Sequence, residues 1–507
     1  FTNYSKTMDC DKFTLITKPE QSGKTFIMIQ EIIKDLTEGN DELGGKTVIN
    51  FIFCDNNLLL TKQTAERVHQ DLDAFIANGQ LYVEFSSRKG NEAKCSSAIY
   101  QAICGGQQNI ICCTNGRRVK DVKEIIMALN SSPFLGDKFA FKIWLDEADK
   151  FPNFISNTFI PLVAECENTH VYCITATSSA LFKKYKTMNV FPLEETTKEN
   201  YHGWKDNEIV VLDALFENTE TFVYEVLSQY PENIQPGTKW YIPAERKKSS
   251  HYMVKSICLA RGMAVFVING DGLTLERPGM EAVIENKTDE LNKHIMKLYR
   301  EHNLSEYAVA VTGNICVGRG ISIMSPDFIF DYGILYSCVK KAEVSQTAGR
   351  LKGNIKNWPN YKPPIVFTSH NFDTIATEWE EKSRRLAILA YEQQDSGETT
   401  VITEEQYKKI GGNNHEEKTK AEDTDKEHCV FESQDEAREF GKTLGVKLNK
   451  RKAPIAPKEL QKDGRNPTSD ELFKRMWGIS AKNTVRMIPT SNGKWCVYWR
   501  PSLIKHD

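Results

Sequence analysis

Two carboxylates stand side by side at Asp146 and Glu147, directly after Phe141-Lys142-Ile143-Trp144-Leu145, a run that is apolar except for Lys142. Such a run reads as a short buried strand. Ligands of an open parallel sheet bind just beyond the carboxyl ends of its strands. The pair therefore stands where chemistry is done. Asp146 suits a magnesium ion held through water, because that hard cation prefers oxygen ligands. Glu147 suits the orientation and deprotonation of an attacking water. Taken alone, the pair fits an acidic loop after a core strand equally well, so its partners decide.

One partner lies upstream. Lys12–Thr17 reads as a strand, Pro19-Glu20-Gln21-Ser22-Gly23-Lys24-Thr25 as a tight loop, and Phe26–Leu36 as an amphipathic helix. A strand, a loop ending in Gly-Lys-Thr and a helix form a phosphate cradle. Backbone N–H groups of Ser22, Gly23 and the helix start face the phosphates. Lys24 reaches the β- and γ-phosphates, and the Thr25 hydroxyl joins Asp146 on magnesium. Lys18 and Gln21 occupy positions where a small residue is usual. The competing reading is a chance Gly-Lys-Thr at a helix start.

The elements that position these residues alternate. Strands are expected at Thr47–Cys54, Tyr82–Phe85, Asn109–Cys113, Ile143–Leu145 and His170–Thr175, and helices within Asn56–Gln70 and over Val119–Leu129. That alternation argues for a doubly wound parallel sheet. A second α/β segment begins after Trp204. It has strands at Lys239–Pro243, Ala264–Asn269, Tyr307–Val311 and Phe328–Leu335, and helices at Ser249–Leu259, Asp289–His302 and Asn371–Gln394. The last helix is expected to close that segment.

With these motifs in order, the chain resembles superfamily-two helicases, including their DEAD-box branch. Gly23-Lys24-Thr25 resembles motif I, Asp146-Glu147-Ala148-Asp149 is the DEAD form of motif II, and Thr175-Ala176-Thr177 resembles motif III. Asn56–Thr64 and Thr114-Asn115-Gly116-Arg117 are similar to motifs Ia and Ib. Thr312–Ser322 resembles motif V, and Gln346-Thr347-Ala348-Gly349-Arg350 resembles motif VI. The resemblance implies two RecA-like domains with ATP and Mg2+ between them, and DNA or RNA as partner. It implies catalytic roles for Glu147, Gln346 and Arg350, and nucleotide contacts by Ser22, Gly23, Lys24, Thr25 and Gly320. Thr25 and Asp146 would hold the metal. Thr64, Thr114, Arg117 and Thr312 would contact nucleic acid, and Thr175 and Thr177 would couple the two sites. Phosphoryl transfer spreads negative charge over the equatorial oxygens, which is why a fixed arginine from a second domain matters. Two departures stand out. Ser322 replaces an aspartate, and Gly353 replaces the final arginine of motif VI, leaving Lys352 as the candidate substitute. Two rivals remain: a double-strand translocase that does not unwind, and an ATP-gated clamp with little turnover.

Composition is ordinary for a globular chain, with 507 residues, 26% of them charged, and a net charge of -3. No stretch approaches the roughly 20 apolar residues of a membrane helix. The 13 cysteines are scattered without a C-x-x-C pair, which argues against a zinc site and for a reducing compartment, cytoplasm or nucleus. The overall style is similar to helicases of large DNA viruses. The chain begins at Phe1 instead of methionine, which leaves room for a leader or short segment ahead of it. The expected divisions are a first domain at 1–205, a second at 206–394, a charged linker at 395–428 and a basic C-terminal α+β module at 429–507. The linker follows from its Gly, Asn, Glu and Lys content. The module carries Lys442, Lys447, Lys450, Arg451 and Lys452, with Trp477, Trp495, Tyr498 and Trp499 interleaved. Such a face suits phosphates and bases; the tryptophans fit a small core as well.

Overall fold

The computed structural model describes residues 10–37, 45–54, 58–73, 82–85, 94–194, 199–212, 216–285, 291–314, 323–336, 341–410, 427–443, 486–489 and 494–499. A first sheet contains β1 (Phe13–Thr17), β2 (Thr47–Cys54), β3 (Val83–Phe85), β4 (Asn109–Cys113), β5 (Phe139–Asp146), β6 (Thr169–Thr175) and β7 (Thr187–Val190). Between them run α1 (Lys24–Thr37), α2 (Leu58–Leu72), α3 (Ser96–Cys104), α4 (Gly116–Asn130), α5 (Ile160–Glu165) and α6 (Ser179–Tyr185). The order β7-β1-β6-β5-β2-β4-β3 is parallel throughout. The inner strands β2, β4 and β5 are buried on both faces because helices cover both. Ile49, Phe51 and Phe53 of β2 enter one core, while Ile52 and Cys54 enter the other. Lys142 interrupts β5 and is nevertheless buried. Its ammonium pairs at 2.6 Å with Asp35 of α1, so the helix that begins at Lys24 is tied to the strand that carries Asp146.

The second domain repeats this plan. β8 (Tyr201–His202) precedes β9 (Glu208–Val211), α7 (Thr219–Gln229), β10 (Lys239–Tyr241), α8 (Lys248–Ala260), β11 (Ala264–Asn269), β12 (Gly272–Glu276), β13 (Val283–Glu285), α9 (Leu291–Glu301), β14 (Val309–Gly313) and β15 (Tyr332–Leu335). Then come α10 (Lys341–Ala348), β16 (Gly353–Asn354), β17 (Ile365–Thr368) and α11 (His370–Asp395). The sheet order is β13-β12-β11-β14-β10-β15-β17-β9. It is parallel except where β12 and β13 add an antiparallel edge. Two mostly parallel eight-stranded sheets, each with helices on both faces, are two RecA-like doubly wound domains.

α11 departs from expectation. Its first half closes the second domain, with Phe372, Ile375 and Ala376 in that core. Its second half places Leu386 and Ala390 in the core of the first domain. At 1.5 Å per residue the helix is about 39 Å long, enough to serve both. The expected linker also needs correction. Within it, β18 (Val401–Thr403) pairs antiparallel with β7, and α12 (Glu404–Lys409) follows. Ile402 and Tyr407 are buried in the first core, where Tyr407 stacks on Phe182 at 4.3 Å. A polar composition hid two apolar anchors.

The C-terminal module, described by itself, has β19 (Glu427–Phe431), α13 (Gln434–Thr443), β20 (Arg486–Pro489) and β21 (Trp495–Trp499), with strand order β19-β21-β20. Ala437 and Val497 form its small core, and Trp495 packs against it. For Trp495 the core reading therefore holds. Trp477 lies outside the described residues.

Candidate active site

The loop at residues 19–23 curls between β1 and α1. Ser22 Oγ donates to Pro19 O at 2.6 Å, and Lys24 Nζ donates to Pro19 O at 3.0 Å and Lys18 O at 3.3 Å. The loop thus wraps its lysine in its own carbonyls. Gly23 takes φ +90°, and Gln21, standing where a glycine is usual, takes φ +55°. Burial lowers the pKa of Lys24, while Glu20, Glu147 and Asp146 act against that shift.

β5 ends at Asp146, and Glu147 turns the chain with φ 53° and ψ 42°. A left-handed conformation at a non-glycine residue costs about 1–3 kcal/mol and clusters at functional sites. The Glu147 N–H donates to Asp146 Oδ1 at 3.0 Å. Burial, then the neighbouring Glu147 charge, raises the pKa of Asp146 from 3.8 to about 6, against the pull of Lys24. Asp149 accepts hydrogen bonds from Thr175 and Thr177, each at 2.8 Å. The expected coupling residues thus meet motif II directly.

The raised pKa has a sign that can be checked. In the metal-free protein the folded state binds more protons than the unfolded state between pH 3.8 and about 6. Stability therefore falls as pH rises through that window. Asp146→Asn removes this loss while its Oδ1 still accepts from Glu147. We expect the variant to gain on the wild type by roughly 1–3 kcal/mol between pH 4 and 7. Urea unfolding midpoints against pH, without divalent metal, measure this; parallel curves would refute the shift.

From the second domain, α10 and the turn Gly349–Leu351 bring Gln346 and Arg350 to the same cleft, whose volume is about 350 Å³. Lys24, Thr25, Asp146 and Glu147 line its other wall. The two walls touch where Gln346 Nε2 donates to Glu147 Oε2 at 2.9 Å. The Gln346 Oε1 is buried and has no hydrogen-bond partner among the described residues. The Asp146 carboxylate and the Thr25 hydroxyl are hard oxygen donors that fit magnesium, which keeps several of its waters. Among the described residues no cluster of three or more His, Cys, Asp or Glu makes a fuller metal cage.

Several expectations change. Thr64 lines the same cleft as Lys24 and Glu147. Thr114 is buried, and its hydroxyl donates to Cys54 O at 2.5 Å. Thr312 is 0% exposed. Both side chains are thus enclosed by the fold, and the Thr312 hydroxyl has no hydrogen-bond partner among the described residues. Arg117 does stand free of the core, 78% exposed. Gly320 and Ser322 lie outside the described residues. Gly353 has φ +139°, and a Cβ there would meet Gln21 Cβ at 3.2 Å. That close approach is a physical reason for the missing arginine. The sequence reading also passed over Phe26, Arg67 and Trp358, which line the cleft beside the phosphate loop. Phe26 is 56% exposed although it follows Thr25 on an apolar helix. In the sequence Phe26 is only the aromatic that follows Gly23-Lys24-Thr25; its exposure comes from the fold.

No family model and no curated protein matches this chain. Among solved structures, it is similar to the DExH-box NTPase HrpB of E. coli, with 12% identity and a TM-score of 0.40, covering 74% of this chain and 41% of that one. It is similar to the helicase Lhr of Mycobacterium smegmatis, determined with ssDNA and AMP-PNP, with 11% identity and a TM-score of 0.40, covering 75% and 46%. The NS3-like helicase of Alongshan virus gives 11% identity and a TM-score of 0.36, covering 72% and 74%. The chain thus spans less than half the length of the first two. At this distance the reading of the site rests on its own geometry.

Proposed function

We propose that the chain is an ATP-dependent nucleic-acid helicase or translocase that hydrolyses ATP in the cleft between its two RecA-like domains. The observation that carries this reading is the 2.9 Å contact of Gln346 with Glu147 across a cleft that also holds Lys24, Thr25, Asp146 and Arg350. Lys24 and the loop N–H groups bind the phosphates. Glu147, held by Gln346, takes the proton of the attacking water. Arg350 meets the charge that develops on the equatorial oxygens. Thr25 and Asp146 would hold magnesium, which when bound neutralises the β- and γ-phosphate oxygens. Thr175 and Thr177 grip Asp149 and so carry changes at motif II away from the cleft. Arg117, exposed at the start of α4, is the strand contact of those expected that stands ready.

An ATPase screen with single- and double-stranded DNA and RNA as stimulators, followed by strand displacement, tests the reading. Stimulation by one of them with displacement is the expected result; no nucleotide hydrolysis under any condition would sink it. A slowly turning clamp is the second reading. It is favoured by α11, which is shared by both cores and restrains their separation.

The domain limits we propose are residues up to 194 together with 399–410, then 199–395, with the basic module at 429–507. Every cleft residue lies before Asn413, where the second compact unit begins. Removing residues 413–507 should leave basal ATPase intact. If the module grips phosphates, the slope of log affinity against log salt flattens by roughly 0.7 to 0.9 per lost contact. A salt titration of both forms on one oligonucleotide measures this. Identical slopes would assign the basic segment to something other than nucleic acid.

A further inference from the structure

Lys352 was the nearest substitute for a second catalytic arginine, yet it does not line the cleft. Its side chain is 0% exposed, and two carboxylates share its ammonium: Glu20 Oε2 at 2.9 Å and Glu380 Oε2 at 3.0 Å. Glu20 belongs to the phosphate loop, and its other oxygen accepts a hydrogen bond from Ser345 of α10. Glu380, on α11, also accepts from the Trp204 N–H at 3.0 Å. The Tyr201 hydroxyl donates to Glu20 O at 3.2 Å. The second-domain backbone presses on the same point, for a Cβ on Gly349 would stand 2.6 Å from Glu20 Cβ. The phosphate loop is therefore held by the second domain through Glu20, by its carboxylate and its carbonyl.

That carboxylate is out of place in a loop that binds a polyanion. Glu20 lines the cleft beside Lys24. Burial alone would push its pKa up, but Lys352, Lys24 and the bond from Ser345 hold it below the ordinary range, so the group is ionised. A buried negative charge near incoming phosphates opposes them unless a cation offsets it, and the attraction between close charges is strong where water is excluded.

We propose that Lys352 is a positioning residue that neutralises Glu20, so that the phosphate loop accepts a polyphosphate only when the second domain is docked on it. This rests on the phosphate-loop reading given above. Lys352 acts through Glu20 and touches no phosphate; of these two cations only Arg350 meets the transferring group.

Three full-length variants test this: Lys352→Met, Glu20→Gln and the double variant. Lys352→Met should weaken affinity for a fluorescent Mg-ATP analogue by roughly 10- to 100-fold, with kcat at saturation little changed. Glu20→Gln in that background should restore most of the affinity, because nothing then needs neutralising. Glu20→Gln alone leaves Lys352 paired with Glu380 and should bind nucleotide as well as the wild type or better. It keeps the test open if Lys352→Met does not fold. A double variant as weak as Lys352→Met, weaker binding by Glu20→Gln, or a loss of kcat with affinity intact would each overturn the proposal. Hydrogen exchange of nucleotide-free protein supplies a readout independent of activity. Residues 20–24 and 345–351 should gain exchange together in Lys352→Met and regain protection in the double variant; exchange confined to one segment counts against the link. A wild type that shows this coupled exchange but binds no nucleotide overturns the phosphate-loop reading, not the contact of Lys352 with Glu20.

Discussion

Glu147→Gln should bind nucleotide normally and hydrolyse it at least about 100-fold more slowly, the usual range for losing a positioned base. The substitution keeps volume and shape. A glutamine at this position can still accept from Gln346 Nε2, which now stands 2.9 Å from Glu147 Oε2. The cross-domain contact therefore survives, and only basicity is lost. The backbone at 147 is left-handed, which neither residue type relieves, so the turn after β5 is expected to persist. Glu147→Ala is the informative companion. It removes the base and also strands the Gln346 amide, so it should lose nucleotide affinity as well as rate. Single-turnover hydrolysis with separately measured affinity distinguishes the two. Near wild-type turnover in Glu147→Gln would make Glu147 a structural residue of the domain interface.

What was legible in the sequence follows from periodicity and continuity. β4 and β11 have the limits expected from their apolar runs, Asn109–Cys113 and Ala264–Asn269. Such runs are unambiguous when both sheet faces are covered. β7 and β9 were not expected. Each has four residues and lies near or at a sheet edge, where Thr187-Met188-Asn189-Val190 alternates buried and half-buried positions. The pattern of α11 shows which of its faces is apolar, but not that one face serves two cores. The same limit explains residues 399–410, where Ile402 and Tyr407 are too few to outweigh a polar composition.

The site divides in the same way. Local motifs, such as Lys24 with Thr25 and Asp146 with Glu147, are legible from their spacing, and the structure brings all four residues to one cleft. Contacts that depend on tertiary approach are not legible in this way. Glu20 and Lys352 are 332 positions apart, and no local pattern joins them. The burial of Thr114 and Thr312 arises because the hydroxyls sit at the ends of central strands, a property of the sheet and not of the motif. Gly353 looked like a lost arginine, whereas its φ of +139° disfavours a side chain and a Cβ there would crowd Gln21 Cβ at 3.2 Å.

Arg350→Ala should abolish turnover by roughly 10³- to 10⁵-fold, the range for an arginine that meets transferring phosphoryl charge. Its guanidinium is buried in the cleft wall. Burial lowers its pKa, and Tyr241, Glu147 and Glu20 act against that. Loss of its charge falls mainly on the transition state, so nucleotide affinity should change far less than rate. Arg350→Lys should recover little, because an ammonium cannot reproduce the planar fork of a guanidinium. Lys352→Met provides the contrast within the same turn. It should change affinity and spare the rate at saturation, since Lys352 faces Glu20 and Glu380. The two variants therefore separate into a rate defect and an affinity defect. If Arg350→Ala loses affinity in proportion to rate, the arginine only holds the domains together. If Lys352→Met carries the rate loss while Arg350→Ala does not, then motif VI has been read in the wrong register, and the catalytic cation is Lys352.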